Sequence, residues 1–219
     1  YYDGQGMMVP VELGVKTATE LDGANICTNT GTTTELNITD YFRMNGMKFN
    51  LVAFEKADDV VAAYNAGRCD VYTTDRSALA AQRTKLTAPD AHVVLPEIIS
   101  KEPLGPVVRQ GDDQWFNIVK WSLNAMINAE EMGITSANVD KLTYDAGATP
   151  AEKRFVGKEG KFGEELGLPN DWAFQIISQV GNYAESYERN VGPNTPVKLQ
   201  RGVNALWSQG GILYAPPIR

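Results

Sequence analysis

The chain is short of the residues that many catalytic centres are built from. Its 219 residues include one histidine, His92, and two cysteines, Cys27 and Cys69. His92 lies in an apolar strand-like run, and no His–carboxylate or Ser–His arrangement stands out, so no hydrolytic or acid–base centre is indicated. No metal and no cofactor are expected. No apolar run is long enough to cross a bilayer, which argues against direct membrane insertion. Basic residues are the minority, 20 against 27 acidic, for a net charge of −7. With no basic stripe and no polybasic cluster, neither nucleic acid nor an anionic membrane surface is an expected partner. The opening Tyr1-Tyr2-Asp3-Gly4-Gln5-Gly6 has no basic start and no apolar core, so no signal peptide is visible. An exported chain would already have lost one.

What remains has the composition of an ordinary globular protein, 43% hydrophobic and 21% charged. Its length allows one large domain or two small ones. Residues 24–109 alternate short apolar runs with helical patterns. Strands are predicted at 24–27, 49–54, 69–72 and 92–95. Helices are predicted at 32–44, with Leu36, Tyr41 and Phe42 toward the core, at 58–66, with Val60, Val61 and Tyr64 apolar, and at 78–83. This rhythm predicts an α/β fold with a parallel-rich sheet. From about Asp112 the pattern becomes helical, with Trp115, Ile118, Val119, Ser122, Met126 and Ala129 at helical spacing. Further helices are expected at 170–187 and 196–207, with weak helical signals over 143–169. The Gly/Pro-containing stretches 1–9 and 104–111 read as connecting segments around a lobe at 10–103, followed by a helical region at 112–219.

Two turns carry chemistry. Asn29-Thr30-Gly31-Thr32-Thr33-Thr34-Glu35 joins a strand to a helix. Thr32 and Glu35 have the spacing of a capping box, which is the bland reading. The functional reading is an anion site. A helix start offers unpaired N–H groups and partial positive charge, and Gly31 allows close approach. Val71-Tyr72-Thr73-Thr74-Asp75 ends another strand in the same orientation, so both turns open on one sheet edge, where open α/β sheets bind ligands. Asp75 alone reads as an ordinary helix cap. An anion cradle beside a carboxylate on one edge suggests a zwitterion, an α-amino acid. Cys27 and Cys69 read either as two buried thiols or as one disulfide, the latter needing an oxidising compartment.

These runs carry a resemblance. Leu21-Asp22-Gly23-Ala24, Thr30-Gly31-Thr32-Thr33 and Gly67-Arg68-Cys69-Asp70-Val71-Tyr72-Thr73-Thr74-Asp75 resemble the second lobe of family 3 periplasmic solute-binding proteins. Ile98-Ile99-Ser100-Lys101-Glu102-Pro103-Leu104-Gly105-Pro106 and the ending Gly210-Gly211-Ile212-Leu213-Tyr214-Ala215-Pro216-Pro217 narrow it to general L-amino-acid binders of ABC importers. The resemblance implies two α/β lobes joined by hinge segments. It implies a carboxylate held by Gly31, Thr32 and Thr33, an amino group held by Asp75, and a side-chain end lined by Asn29 and Thr74. A periplasmic location and an ABC permease as partner follow from it. It also places Cys27 and Cys69 on neighbouring strands, so a bridge is expected.

The family's N-terminal βαβ stretch, with its arginine, has no counterpart here. The chain is therefore expected to be a shortened relative in which the helices after about Gln114 are a remnant of the first lobe. Their apolar residues, Trp115, Phe116, Ile118, Val119, Trp121, Leu123, Met126 and Ile127, then lead to an expected homodimer built from 112–219. The rival readings are a non-binding interaction protein kept by its dimer surface and, less favoured, an enzyme.

Overall fold

The alternation of the first half resolves into a twisted sheet with helices on both faces. In the computed structural model, which describes residues 1–218, the strands are β1 (Tyr2–Asp3), β2 (Gln5–Pro10), β3 (Asn25–Asn29), β4 (Asn50–Phe54), β5 (Val71–Asp75), β6 (His92–Val94) and β7 (Glu102–Pro103). The first three helices are α1 (Thr33–Met44), α2 (Ala57–Asn65) and α3 (Arg76–Arg83). The main sheet has the order β4-β3-β5-β2-β6. β3 runs parallel to β4 and β5, as strand–helix–strand crossovers require, while β2 lies antiparallel between β5 and β6.

Period-two alternation divides the core. Met7, Val9, Ile26 and Val71 leave one face and pack with Ile38 and Phe42 of α1. Met8, Cys27 and Tyr72 leave the other and pack with Val60, Val61, Tyr64 and Leu79 of α2 and α3. Leu36, expected to face inward, is instead 67% exposed. It precedes the buried Ile38 by two residues, about 200° around the helix, and so lies on the opposite side. Cys27 and Cys69 are both buried in the α2/α3 face and form a disulfide, with Cα atoms 5.7 Å apart.

The stretch 1–9 is more than a connector. Tyr2 and Asp3 pair with Pro103 and Glu102. Gln5 to Pro10 forms an inner strand, buried along almost its whole length. Its pattern carries no alternation because both sides of this strand are covered.

The second half is helical: α4 (Asp113–Glu131), α5 (Val139–Leu142), α6 (Pro150–Phe155), α7 (Phe162–Leu166), α8 (Trp172–Val180) and α9 (Tyr183–Asn190). The helix expected over 170–187 is broken at Gly181, φ 87°, and Asn182 opens α9 with a reciprocal capping box to Glu185. The helix expected over 196–207 does not form. That stretch holds only short 3₁₀ turns at Gly202–Asn204 and Trp207–Gln209, with Pro196 and Gly202 opposing a continuous helix. These helices have a core of their own around Ala125, Ala129, Phe155, Trp172 and Ile177. Arg201 pairs with Glu130 at 3.0 Å and lies over the rings of Tyr183 and Tyr187. The chain thus divides into two compact units, 1–104 with 196–199 and 105–195 with 200–219.

Candidate ligand-binding site

The site candidates come from strands that are neighbours. β3 and β5 pair in parallel with Ile26 opposite Val71 and Cys27 opposite Tyr72. The Thr28 hydroxyl donates to the Thr73 carbonyl at 3.1 Å, holding the strand ends together. Continued by two or three residues, that register sets Asn29 and Thr30 beside Thr74 and Asp75, one strand spacing of about 4.8 Å away. The turns expected to open on one edge do so.

The first turn is shaped by Gly31, whose φ of 70° lies in the left-handed region. Thr32 follows in an extended conformation as the N-cap of α1. The capping box suggested by its spacing is not formed. The Thr32 hydroxyl turns back to donate to the Asn29 carbonyl at 2.9 Å, and the Glu35 carboxylate accepts from the Gly31 N–H at 3.0 Å. No side chain caps the helix start from Thr32. The first-turn N–H groups, which have no intrahelical acceptor, are left with their partial positive charge facing outward. Gly31 and Thr33 are exposed, and Asn29 and Thr32 are half-buried. Among the described residues the Asn29 side chain makes only long contacts, 3.5 Å, from its Nδ2 to the Phe54 and Glu55 carbonyls.

The second turn departs from the ordinary reading in the same way. Asp75 stands at the N-cap position of α3, yet its side chain makes no capping bond. Asp3 of β1 does that work: one carboxylate oxygen accepts from the Ser77 N–H at 3.1 Å and the other from Gly4 at 2.9 Å. Among the described residues no hydrogen bond or ion pair engages the Asp75 carboxylate. Partial burial, then the like charges of Asp3 and Glu102, push its pKa above the ordinary value. A half-buried carboxylate with anionic neighbours and no partner attracts a cation. Among the described residues no group of three or more His, Cys, Asp and Glu gathers closely enough to hold a metal ion.

Sequence reading missed three contributors: Asp3, Glu102 and Gln5. The fully buried Gln5 lies opposite Asp75 across β2 and β5. Its signal was present, a lone amide heading the apolar run Gly6-Met7-Met8-Val9, but a stretch read as a connector gave no reason to weigh it. His92 is accounted for otherwise, since its Nδ1 shares a 2.8 Å hydrogen bond with the Tyr64 hydroxyl.

No family model matches the chain. Individual proteins do. The chain is 60% identical to the general L-amino acid-binding periplasmic protein AapJ of Rhizobium johnstonii, over all of this chain and 64% of that protein. It is 50% identical to the glutamate/glutamine/aspartate/asparagine-binding protein BztA of Rhodobacter capsulatus, with the same coverage. A solved ABC-transporter periplasmic binding protein from Brucella ovis, with glutathione bound, is 52% identical and superimposes with a TM-score of 0.96 over all of this chain and 69% of that one. The chain therefore spans just under two thirds of the length of the curated relatives it matches.

Proposed function

Because the chain belongs to the periplasmic solute-binding proteins of amino-acid ABC transporters, we propose that its α/β unit binds free L-α-amino acids through the edge formed by β3 and β5. The first-turn N–H groups of α1, with Gly31, Thr32 and Thr33, take the α-carboxylate. Asp75 takes the α-ammonium. Asn29 and Thr74 line the side-chain end.

The observation that carries this reading is the unengaged Asp75. Its helix is capped by another residue, Asp3, so its carboxylate is left for a cation that none of the described residues supplies. The names of the relatives fit a site that grips the amino-acid head group and leaves the side chain open. One is a general amino-acid binder, one takes acidic residues and their amides, and one holds glutathione, whose γ-glutamyl end is itself an amino-acid head group.

The same reading puts the protein in the periplasm as a binding component that hands its ligand to an ABC permease, without catalysis. No helix among the described residues is long and apolar enough to cross a membrane. Tyr1 and Leu104 exchange backbone hydrogen bonds at 2.9 Å, just beyond the β1–β7 pair, which supports hinge roles for the start of 1–9 and for 104–111, while Gln5 onward belongs to the sheet. The 52% exposed Trp115 and 49% exposed Phe116 on α4 support self-association through 112–219. Calorimetric titration with the twenty L-amino acids and glutathione tests the function. Saturable heat with several of them is expected, and silence with all would refute the reading.

A further inference from the structure

We propose that Gln5 is a positioning residue for this amino-acid site, tying the first turn of α1 to β5 and so setting the spacing between the carboxylate cradle and Asp75. The proposal rests on the ligand-binding reading above. Gln5 is fully buried. Its backbone lies directly opposite Asp75 in the antiparallel pair, and opposed residues send their side chains to the same face. Its Nε2 donates to the Thr34 carbonyl and to the Thr73 hydroxyl oxygen, each at 3.0 Å. The Thr73 hydroxyl in turn donates to the Gly6 carbonyl at 2.7 Å. One amide thereby joins the helix that opens at Thr33 to the strand that ends at Asp75. Its backbone N–H is fixed as well, donating to the Ser100 hydroxyl oxygen, which itself donates to Glu102.

The orientation of the amide is determined by its partners. A backbone carbonyl can only accept, so the atom facing Thr34 is the nitrogen. The amide oxygen is then buried with no hydrogen-bond partner among the described residues. Leaving a buried acceptor unpaired is unfavourable, and a Met or Leu of similar size would fill the space without that loss. The polar side chain is therefore held for its two donors. Those donors reach the two elements that carry the ligand contacts.

The test uses Gln5→Met and Gln5→Glu, read by calorimetry with L-glutamine across pH, beside the unsubstituted chain and Asp75→Asn. Gln5→Met removes the tie and should weaken binding by about tenfold, roughly the worth of a lost buried hydrogen-bond pair. Gln5→Glu discriminates positioning from filling. The charged groups on β1, β5, β7, α1 and α3 are Asp3, Asp75, Glu102, Glu35 and Asp40 against Arg43, Arg76 and Arg83, with Glu97 in the loop before β7. In that predominantly anionic setting the introduced carboxyl protonates well above the ordinary range. When ionised it cannot donate to Thr34, and binding is lost. When protonated it can, and affinity should rise as pH falls, the reverse of the unsubstituted chain.

A profile for Gln5→Glu parallel to that of the unsubstituted chain overturns the proposal, as does unchanged affinity in Gln5→Met. Should either variant fail to fold, the unsubstituted chain still decides. The side-chain amide resonances of Gln5 must shift and exchange more slowly with solvent on addition of L-glutamine, and unmoved resonances overturn it. Silence of the unsubstituted chain toward every amino acid would instead defeat the ligand-binding reading. Binding that is lost in Asp75→Asn but kept in Gln5→Met defeats only the role of Gln5.

Discussion

Replacing Asp75 by Asn separates a ligand-binding carboxylate from a helix cap by moving two measurements in opposite directions. The carboxylate makes no hydrogen bond or ion pair among the described residues, and its pKa is raised by burial and by Asp3 and Glu102. A carboxyl whose folded pKa exceeds its unfolded value holds its proton more tightly when folded. Its ionisation therefore costs stability, the cost appearing as pH rises past the unfolded value and complete above the folded one. At neutral pH, Asp75→Asn should raise the thermal midpoint of the ligand-free chain, and the gain should vanish as pH falls below the ordinary Asp range.

Binding should move the other way. A hydrogen bond between charged groups is worth about 1.5–3 kcal/mol, so losing the ammonium partner should weaken affinity about 10- to 150-fold. The affinity of the unsubstituted chain should also begin to fall at a higher pH than an ordinary Asp would dictate, and that of the variant should be flat there. Calorimetry and a thermal melt across pH read both. A cap would give a different signature: because Asn caps about as well as Asp, the midpoint would barely move in Asp75→Asn and would fall, by the loss of about 0.5–2 kcal/mol, only in Asp75→Ala, with affinity unchanged within about twofold in both. That outcome would refute the reasoning.

Thr32→Val should cost less than Asp75→Asn, about two- to tenfold in affinity by calorimetry, because it removes the neutral hydrogen bond to the Asn29 carbonyl that shapes the turn while the first-turn N–H groups remain. The Cys27→Ala, Cys69→Ala pair removes a bridge spanning 42 residues and should lower stability to urea by about 4 kcal/mol; two free thiols on alkylation of the native chain would contradict the bridge itself. Glu130→Gln leaves the Arg201 guanidinium, whose side chain is only 17% exposed, without its carboxylate. It should destabilise the helical unit by up to about 3–5 kcal/mol in a urea melt, with ligand affinity unchanged. Light scattering should give a mass near twice that of one chain at micromolar concentration, and a stable monomer would remove the homodimer.

Much of the α/β unit was legible because its signals are local. Strands β3, β4 and β6 and helices α1 and α2 fall within a residue or two of their apolar runs, and Gly31 marks the turn through a backbone need that other residues meet poorly. The inner strand β2 was read as a connector because a strand covered on both sides has no alternation to display. Leu36 was misplaced because three apolar residues on α1 do not share one face. At the site, the positions of Thr32 and Asp75 follow from the order of strands and helices, but their hydrogen bonds do not. Whether Asp75 caps α3 depends on Asp3, which reaches the Ser77 N–H from 74 residues away in sequence, held there by the β1–β7 pairing. Local rules name the residue best placed to cap. Only the assembled sheet decides which residue does.

The central claim is that an amino-acid head group seats between the start of α1 and Asp75. Backbone amide shifts of the ¹⁵N-labelled chain on titration with L-glutamine test it most directly. The account predicts the largest saturable shifts at residues 30–35 and 73–77, absent when the amino group is replaced by hydroxyl. Saturable shifts confined to other residues, or an equal response to the hydroxy acid, would contradict it.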